Sequence, residues 1–256
     1  MTYPRAGGGF AWRQTPWGVV LQCGPLLEIA PHVFTTRDLM LGDHPAEWAQ
    51  VAAFMEVPPE RVRLIRQVHR ADVAVVRAED PPSPSRPEAD VIVSNDPSSA
   101  IGVRVADCAP ILIADRRRGV AGAAHAGWRG TVQRAAVEAV DAMTREFGST
   151  PADLVAAIGP CLGACCGEVG EEVVTAFEDA GHRDVGRWFT TGATPKPYLD
   201  LARANVDQLI EAGLDSANIH VADICTKTHA AMLHSYRAEA GNAGRMVGAI
   251  RATARR

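Results

Sequence analysis

Short apolar runs recur along the chain and predict a series of neighbouring strands. The predicted strands cover residues 63–68, 73–76, 91–93, 101–105, 111–114, 120–124, 154–158, 219–221 and 246–250. A proline-rich segment, 79–88, separates the first two strands from those that follow. Because the strands after this segment need partners from before it, we expect it to be a surface loop and not a linker.

Apolar residues at helical spacing predict four helices. The first starts at Asp43 or His44, with Pro45 at the first helical position, and stops at Pro58. Two helices are predicted over residues 171–180 and 201–212. The fourth follows a GWRG turn and ends at Gly148, and its apolar stripe consists of Val132, Ala136, Val140, Met143 and Phe147. Strands that occur in runs favour packed sheets with helices outside, an α+β class, over a doubly wound parallel sheet.

Length and composition describe an ordinary globular chain. It has 256 residues, of which 47% are hydrophobic and 22% charged, and a net charge of -4. We therefore expect one domain over residues 1–256 and no binding to nucleic acid. With no signal-peptide pattern and no stretch near the ~20 apolar residues that cross a bilayer, we expect no membrane contact and a cytoplasmic location. The sequence leaves the oligomeric state open.

Two histidines and one cysteine are the strongest candidates for chemistry. Cys108 and His125 lie at ends of predicted strands, and His69 lies between two strands. Zinc accepts imidazole nitrogen together with thiolate sulfur, and catalytic zinc sites keep one position open beside three protein ligands. The three residues therefore suit a reactive metal site. The alternative is a buried cysteine with two hydrogen-bonded core histidines.

Longer motifs extend from about residue 60 to the C-terminus. They are Gln67-Val68-His69, Ala89-Asp90, Ala106-Asp107-Cys108-Ala109-Pro110, His125-Ala126-Gly127-Trp128-Arg129-Gly130, Ile158-Gly159-Pro160-Cys161 with Cys166 and Glu168-Val169-Gly170, then Leu199-Asp200-Leu201, Asn205, Cys225-Thr226 and Ser235-Tyr236-Arg237. On these motifs the chain resembles the laccase-domain proteins, also called the YfiH-type polyphenol oxidase or multi-copper polyphenol oxidoreductase family.

The resemblance implies a fold, a metal and an activity. The fold would be a four-layer α/β/β/α arrangement around a central β-sandwich, and a metal, usually zinc, would be held by His69, Cys108 and His125. The implied activity is phosphorolysis of adenosine, inosine and methylthioadenosine, with adenosine deamination beside it, so the partners would be a purine nucleoside and phosphate. Arg70 and the segment 35–43 depart from the family pattern, which bears on the nucleoside preferred and not on the metal site.

Phosphorolysis requires a place for phosphate, and the GWRG turn is the first candidate. Its glycines let backbone N–H groups approach an anion, Arg129 adds a planar fork, and Thr131 is expected to cap the helix that follows. Gln67 and Arg237 are the other predicted substrate contacts, and Arg245 is a further arginine of the same kind.

Catalytic roles are assigned to Cys108, His125 and Asp107. Asp107 lies next to the thiol and either orients the site or caps the turn before Pro110. A zinc ion lowers the pKa of its water enough for attack on the purine at C6. Because the H-x-E and P-C-x-x-C motifs of nucleobase deaminases are absent, any deamination needs a different acid and base.

Two other enzyme classes remain open on the sequence. Copper-dependent oxidation of phenols is one, since copper competes for the same ligands, although the eight histidines form no H-x-H cluster. A cysteine hydrolase with Cys108 as nucleophile and His125 as base is the other. The six cysteines are interpreted as reduced thiols, and Cys161, Cys165 and Cys166 as structural, because adjacent cysteines and no nearby histidine make a poor metal site.

Overall fold

The structure, a computed structural model, describes residues 3–254. Its strands are β1 Phe10–Thr15, β2 Gly18–Cys23, β3 His32–Thr35, β4 Val62–Leu64, β5 Val73–Val76, β6 Val91–Ser94, β7 Ala100–Val105, β8 Ala109–Asp115, β9 Ala121–Ala126, β10 Leu154–Ile158, β11 Phe189–Thr191, β12 Pro197–Leu199, β13 Ile219–Val221 and β14 Met246–Arg251. The helices are α1 Gly24–Leu27, α2 Pro45–Phe54, α3 Trp128–Val132, α4 Ala135–Phe147, α5 Glu171–Asp179, α6 Leu201–Glu211 and α7 Tyr236–Glu239.

Two six-stranded sheets form the centre of the fold. The first has the order β1-β2-β3-β14-β7-β4 and the second the order β13-β10-β8-β9-β6-β5, with β11 and β12 as a separate hairpin. β4 pairs with β7 and β5 with β6, so each of the two strands directly before the proline-rich segment pairs with a strand that follows it. The prediction that this segment is a surface loop is therefore confirmed.

Strand alternation divides the core into three parts. On β8, Leu112 points into the apolar layer between the two sheets, whereas Ile111 and Ile113 point toward the helices on the outer face of the second sheet. Helix α4 covers that outer face with its apolar stripe, and α2 covers the outer face of the first sheet. The layers run helix, sheet, sheet, helix, which confirms the four-layer α+β prediction.

Several predicted elements differ from the structure for local reasons. The strand predicted over 63–68 ends at Leu64, because the chain turns toward His69, whose φ is 61°. The helix after GWRG is two helices, α3 and α4, interrupted at Arg134 with φ 61°. Thr131 lies inside α3 and its hydroxyl donates to the Gly127 carbonyl at 3.0 Å, so the predicted capping role is wrong. Gly148 ends α4 in the left-handed region as predicted.

The N-terminal strands β1, β2 and β3 were not predicted. β1 mixes buried and exposed side chains without strict alternation, and β3 is only four residues long. None of the helices within residues 3–254 combines the length and apolar character that crossing a bilayer requires.

A buried histidine makes the first sheet sensitive to acid. The ring of His32 on β3 is fully buried, accepts from the Cys23 amide at Nε2 and lies 3.0 Å from the Ala30 carbonyl through Nδ1. Burial lowers the pKa of His32 from 6.5 to about 4, and the Ala30 hydrogen bond only partly offsets this. The folded state therefore holds the neutral ring, and an unfolded chain binds a proton that the folded chain does not.

We expect this difference to reduce the free energy of unfolding as pH falls from 6.5 toward 4, by about 3 kcal/mol in total. Equilibrium denaturation at pH 7 and pH 4.5 of the wild type, His32→Gln and the exposed control His44→Gln measures it. The His32 variant should be less stable at pH 7 and lose less stability in acid than the other two. Parallel pH dependence in all three proteins would contradict this account.

Candidate metal centre and adjoining cavity

The pairing of four strands brings the predicted metal ligands to one end of the second sheet. Antiparallel β8 and β9 set Pro110 opposite His125, so Cys108, just before β8, lies beside that histidine. β6 pairs antiparallel with β9 and parallel with β5. The residues that precede β6 and β5, among them Asp90 and His69, therefore reach the same end.

The side chains of His69, Cys108 and His125 converge. Their ligand atoms all lie within 4.8 Å of one another, and the two imidazole rings meet edge to face with centroids 4.9 Å apart. Ligands at about 2.0–2.3 Å from one zinc ion are separated by about 3.3–3.8 Å. Small side-chain movements are enough to bring all three onto a single cation.

A buried carboxylate holds this group in place. Asp90 is fully buried and accepts hydrogen bonds from the backbone amides of Val68, His69 and Arg70 at 2.8–3.0 Å. Its Oδ1 also lies 2.7 Å from Nδ1 of His125. With Nδ1 donating to the carboxylate, Nε2 of His125 is left to bind a metal, which is the arrangement found around metal-ligating histidines.

The charges at the centre favour a thiolate. Burial by itself would raise the pKa of Cys108, but the positive charge and hydrogen bond of His125, with a further hydrogen bond from His69, outweigh it and lower that pKa. In the same way burial would lower the pKa of His125, and the charge of Cys108 with the Asp90 hydrogen bond raises it. The thiolate form, which metals bind, is therefore favoured, and a metal at the centre would take the place of the His125 proton as the positive partner of the thiolate.

The backbone around the trio is tightly constrained. A Cβ atom added at Gly127 would lie 2.7 Å from Sγ of Cys108 and 3.5 Å from the ring of His69. His69 and Asp107 both have positive φ, 61° and 85°, a conformation that costs free energy for residues other than glycine. Two imidazoles, one cysteine sulfur, a buried carboxylate and strained backbone form a group that could hold a metal ion.

A cavity of about 820 Å³ opens beside the trio, a size typical of small-molecule sites. Its wall contains both apolar residues and four arginines. The lining residues include His69, Cys108, His125, Gly127, Trp128, Leu162, Val169, Leu199, Leu201, Tyr236, Arg66, Arg104, Arg237 and Arg245.

Of the four arginines in the cavity lining, Arg104 is the one whose side chain has no hydrogen-bond or ion-pair partner within residues 3–254. Within residues 3–254 no carboxylate lies within 4.0 Å of its guanidinium, and its buried Nε has no hydrogen-bond partner. Burial and the neighbouring charges of Arg86 and Arg245 lower the pKa of Arg104. A partly buried guanidinium repelled by other cations and facing a cavity is suited to an anionic ligand.

The predicted substrate residues occupy different positions. Gln67 lines the cavity, but its amide nitrogen donates to the Arg104 carbonyl at 2.7 Å and its oxygen accepts from the Arg104 amide at 2.8 Å. Arg237 lines the cavity and donates through Nη1 to the carbonyls of Cys166 and Glu168. Arg129 is exposed and its guanidinium stacks on Trp128 at 4.1 Å, outside the cavity lining.

Asp107 links three segments at the cavity wall. Its Oδ1 accepts from the Thr226 hydroxyl at 2.5 Å, its Oδ2 accepts from the Arg237 amide at 2.6 Å, and its carbonyl accepts from the Leu162 amide at 2.8 Å. Neither interpretation drawn from the sequence, an orienter of the thiol or a cap before Pro110, includes these bonds. The carboxylate positions the segment that carries Arg237.

Two residues of the site were not assigned from the sequence. Asp90 appeared only as part of the Ala89-Asp90 motif, and its signal is a carboxylate directly before an apolar strand. Arg104 interrupts the buried strand β7, and a charged residue in an otherwise apolar run is the signal that could have identified it.

The fold and the site together define a laccase-like protein with a histidine–cysteine centre beside a cavity. The family model described as multi-copper polyphenol oxidoreductase laccase matches residues 42–253. The chain therefore belongs to this family.

Curated relatives carry two activity names. A purine nucleoside phosphorylase of Deinococcus radiodurans is 35% identical over 249 residues, covering 90% of this chain and 91% of that protein. The adenosine deaminase RL5 from an unknown prokaryotic organism is 36% identical over 186 residues, covering 70% of this chain and 71% of that protein. A purine nucleoside phosphorylase of Bacteroides thetaiotaomicron is 35% identical over 161 residues, and the match spans 60% of that protein.

Solved structures share the architecture. YfiH of Bacillus licheniformis superposes with a TM-score of 0.86 at 26% identity, covering 94% of this chain and 99% of that chain. YlmD of Geobacillus stearothermophilus superposes with a TM-score of 0.84 at 28% identity, covering 94% and 98%. These likenesses support the YfiH-like fold that the sequence motifs imply.

We expect the Asp90 carboxylate to control metal affinity at the trio. Asp90→Asn keeps the shape but removes the charge that orients His125, so the affinity for Zn²⁺, measured by competition with a chromophoric chelator, should fall by about 10–100-fold. Asp96→Asn is a matched control, because Asp96 is equally buried and accepts from Ser98 and Ser99. Equal affinities in the two variants would refute the orienting role.

Proposed function

We propose that this protein is a zinc-dependent purine nucleoside phosphorylase that acts on adenosine, inosine and methylthioadenosine, with adenosine deamination as a side activity. The observation that carries the proposal is that a His–Cys–His centre and an unpaired, partly buried arginine, Arg104, face one cavity. The names of the relatives support both activities.

Zinc is the metal we assign to His69, Cys108 and His125. Zinc accepts imidazole nitrogen and thiolate sulfur together, and Asp90 behind His125 is the carboxylate–histidine arrangement found at zinc sites. When bound, zinc supplies Lewis-acid activation at the open coordination position. Thiolate and imidazole also accept copper, so the donor set alone does not exclude it.

Phosphate is assigned to the arginines that line the cavity. In phosphorolysis the bond between the purine nitrogen and the anomeric carbon breaks, a phosphate oxygen bonds to that carbon, and the released base takes up a proton. Arg104 offers an unpaired guanidinium for the phosphate, and Arg245 and Arg237 line the same cavity. Fixed positive charge also stabilises the negative charge of the nucleophile without reorganisation during the reaction.

The nucleoside is assigned to the apolar residues that line the cavity. Trp128, Leu162 and Val169 supply flat and aliphatic surface, and the half-exposed ring of Tyr236 lies at the rim. Such surface suits a purine, whose faces are apolar and whose edges are polar. Asp107 holds Arg237 through the backbone amide and is therefore assigned a positioning role beside its predicted catalytic one.

A thiol hydrolase is a second candidate that one observation favours. Asp90, His125 and Cys108 form a line of hydrogen-bonded groups in which the pKa of the thiol is lowered, as a cysteine nucleophile requires. Copper-dependent phenol oxidation is the third candidate, supported by the family description.

Metal removal distinguishes the three candidates. We expect protein with one equivalent of zinc to release free base from adenosine and inosine in phosphate buffer, and chelation to abolish this activity until zinc is restored. Product chromatography with and without phosphate measures it. Chelation that increases activity would favour the thiol hydrolase, and activity on phenols that requires added copper would favour the oxidase. A zinc-loaded protein that releases no base would overturn the proposal.

Arg104 and Arg129 provide a comparison within one protein. If Arg104 holds phosphate, Arg104→Ala should raise the KM for phosphate by about 10-fold or more, since a charge-assisted contact is lost. Arg129→Ala, which removes an exposed side chain outside the cavity, should change that KM by less than about 2-fold. If Arg129→Ala raised the KM for phosphate more than Arg104→Ala, phosphate would bind at the GWRG turn and not at Arg104.

A further inference from the structure

Three thiols form a second cluster away from the trio. We call Cys165, Cys166 and Cys225 the thiol cluster; their sulfur atoms all lie within 4.8 Å of one another. The Sγ atoms of Cys165 and Cys166 are 3.8 Å apart, and each lies 3.6 Å from the Thr228 hydroxyl. Sequence spacing grouped Cys161 with the adjacent pair and so predicted a poor metal site; the structure instead puts Cys225, from a distant segment, beside the pair, which gives a third sulfur that the sequence did not reveal.

Backbone hydrogen bonds bring the two segments of the cluster together. The Cys161 amide donates to the Ile224 carbonyl at 3.3 Å, and the Thr226 amide donates to the Cys161 carbonyl at 3.0 Å. A Cβ atom added at Gly163 would lie 3.1 Å from Cβ of Cys225, so this glycine permits the close approach. Cys161 itself is buried beneath the cluster, and burial raises the pKa of its thiol.

We propose that the thiol cluster binds one cuprous ion, Cu(I), through three thiolates. Three sulfur ligands at about 2.3 Å from one ion lie about 3.8–4.0 Å apart, which agrees with the 3.8 Å between Cys165 and Cys166 and needs little movement of Cys225. Soft thiolate ligands select Cu(I), zinc or iron–sulfur clusters.

The number and type of ligands favour Cu(I) over zinc and over an iron–sulfur cluster. Zinc sites closed by cysteine take four protein ligands, zinc sites with three protein ligands and an open position include at least one histidine, and iron–sulfur clusters use four protein ligands. Within residues 3–254 the cluster contains three thiols, and the fourth group beside it is the neutral hydroxyl of Thr228. A soft cation that accepts three ligands therefore fits best.

The cluster is accessible and partly prepared for a cation. Cys165 is exposed, and Cys166 and Cys225 are half-buried, so an ion reaches the sulfurs from solvent. Burial by itself would raise the pKa of Cys225, but hydrogen bonds involving Thr228 and the Gly163 backbone outweigh it and lower that pKa. Partial burial, together with hydrogen bonds from Cys225 and Cys166, raises the pKa of Cys165 to about 11, so binding of a cation releases the proton of Cys165.

The cluster also adjoins the cavity wall. Arg237 donates to the carbonyl of Cys166 at 3.1 Å, and Asp107 accepts from Thr226, the neighbour of Cys225. Cu(I) at the cluster would restrain both segments that hold Arg237. This site does not depend on the proposed function, because it shares no ligand with the trio.

An anaerobic titration tests the proposal. The full chain in the Cys108→Ala background, which removes the trio as a competing site, is titrated with Cu(I) against a chromophoric cuprous chelator. We expect one tight equivalent and a sulfur-to-copper charge-transfer band. Cys165→Ser and Cys225→Ser in the same background should weaken binding by about 100-fold or more and lose the band. Cys23→Ala, at a buried cysteine on β2, should retain both.

Three results would overturn the proposal. The first is a Cu(I) affinity of Cys165→Ser and Cys225→Ser equal to that of the Cys108→Ala protein. The second is the absence of a tight equivalent of Cu(I) in the Cys108→Ala protein. The third is displacement of Cu(I) by equimolar Zn²⁺. Because Cys165 is exposed, its serine variant is expected to fold even if the Cys225 variant does not, and circular dichroism of each variant verifies this.

Discussion

The Asp90 carboxylate is the group on which the arrangement of the site depends. Its Oδ2 accepts from the amides of Val68 and Arg70, and its Oδ1 accepts from the His69 amide and contacts Nδ1 of His125, so one carboxylate fixes both the turn that carries His69 and the ring of His125. A fully buried charge is costly to keep without such bonds, and burial alone would raise the pKa of Asp90. Its hydrogen bonds to His125 and to the backbone reverse that effect and lower the pKa. The same carboxylate thus connects the loop before β5, the start of β6 and the end of β9.

The fold supports this connection by strand pairing. Cys108 and His125 come together because β8 and β9 are antiparallel neighbours, and Asp90 joins them because β6 is the next strand in the sheet. The ligands are far apart in sequence but are held by rigid backbone, which gives the positional accuracy that a metal centre needs. Gly127 completes the arrangement, since a larger residue would contact the sulfur. The cavity then adds what the centre lacks, an unpaired guanidinium at Arg104 and apolar surface at Trp128.

Sequence patterns predicted the parts of this structure that depend on local periodicity. The strand 154–158 and the helix that begins at Pro45 have the predicted bounds or nearly so, because apolar runs and a proline at the helix start act within a few residues. The break at Arg134 was missed, since an arginine with positive φ carries no local signal. The motifs also led to His69, Cys108 and His125. The roles of Arg104 and of Cys225 could not be predicted, because they depend on which distant segments of the chain meet in the folded structure. Arg129 is the converse case, a residue with suitable chemistry whose side chain stacks on Trp128 and is not part of the cavity lining.

The central claim is that His69, Cys108 and His125 hold one zinc ion that faces the cavity. A crystal structure of protein prepared without added metal, with anomalous data collected on both sides of the zinc absorption edge, tests it most directly. The account predicts one strong peak about 2.3 Å from Sγ of Cys108 and about 2.0–2.1 Å from a ring nitrogen of each histidine. Absence of a peak there, with the three side chains turned apart, would contradict it.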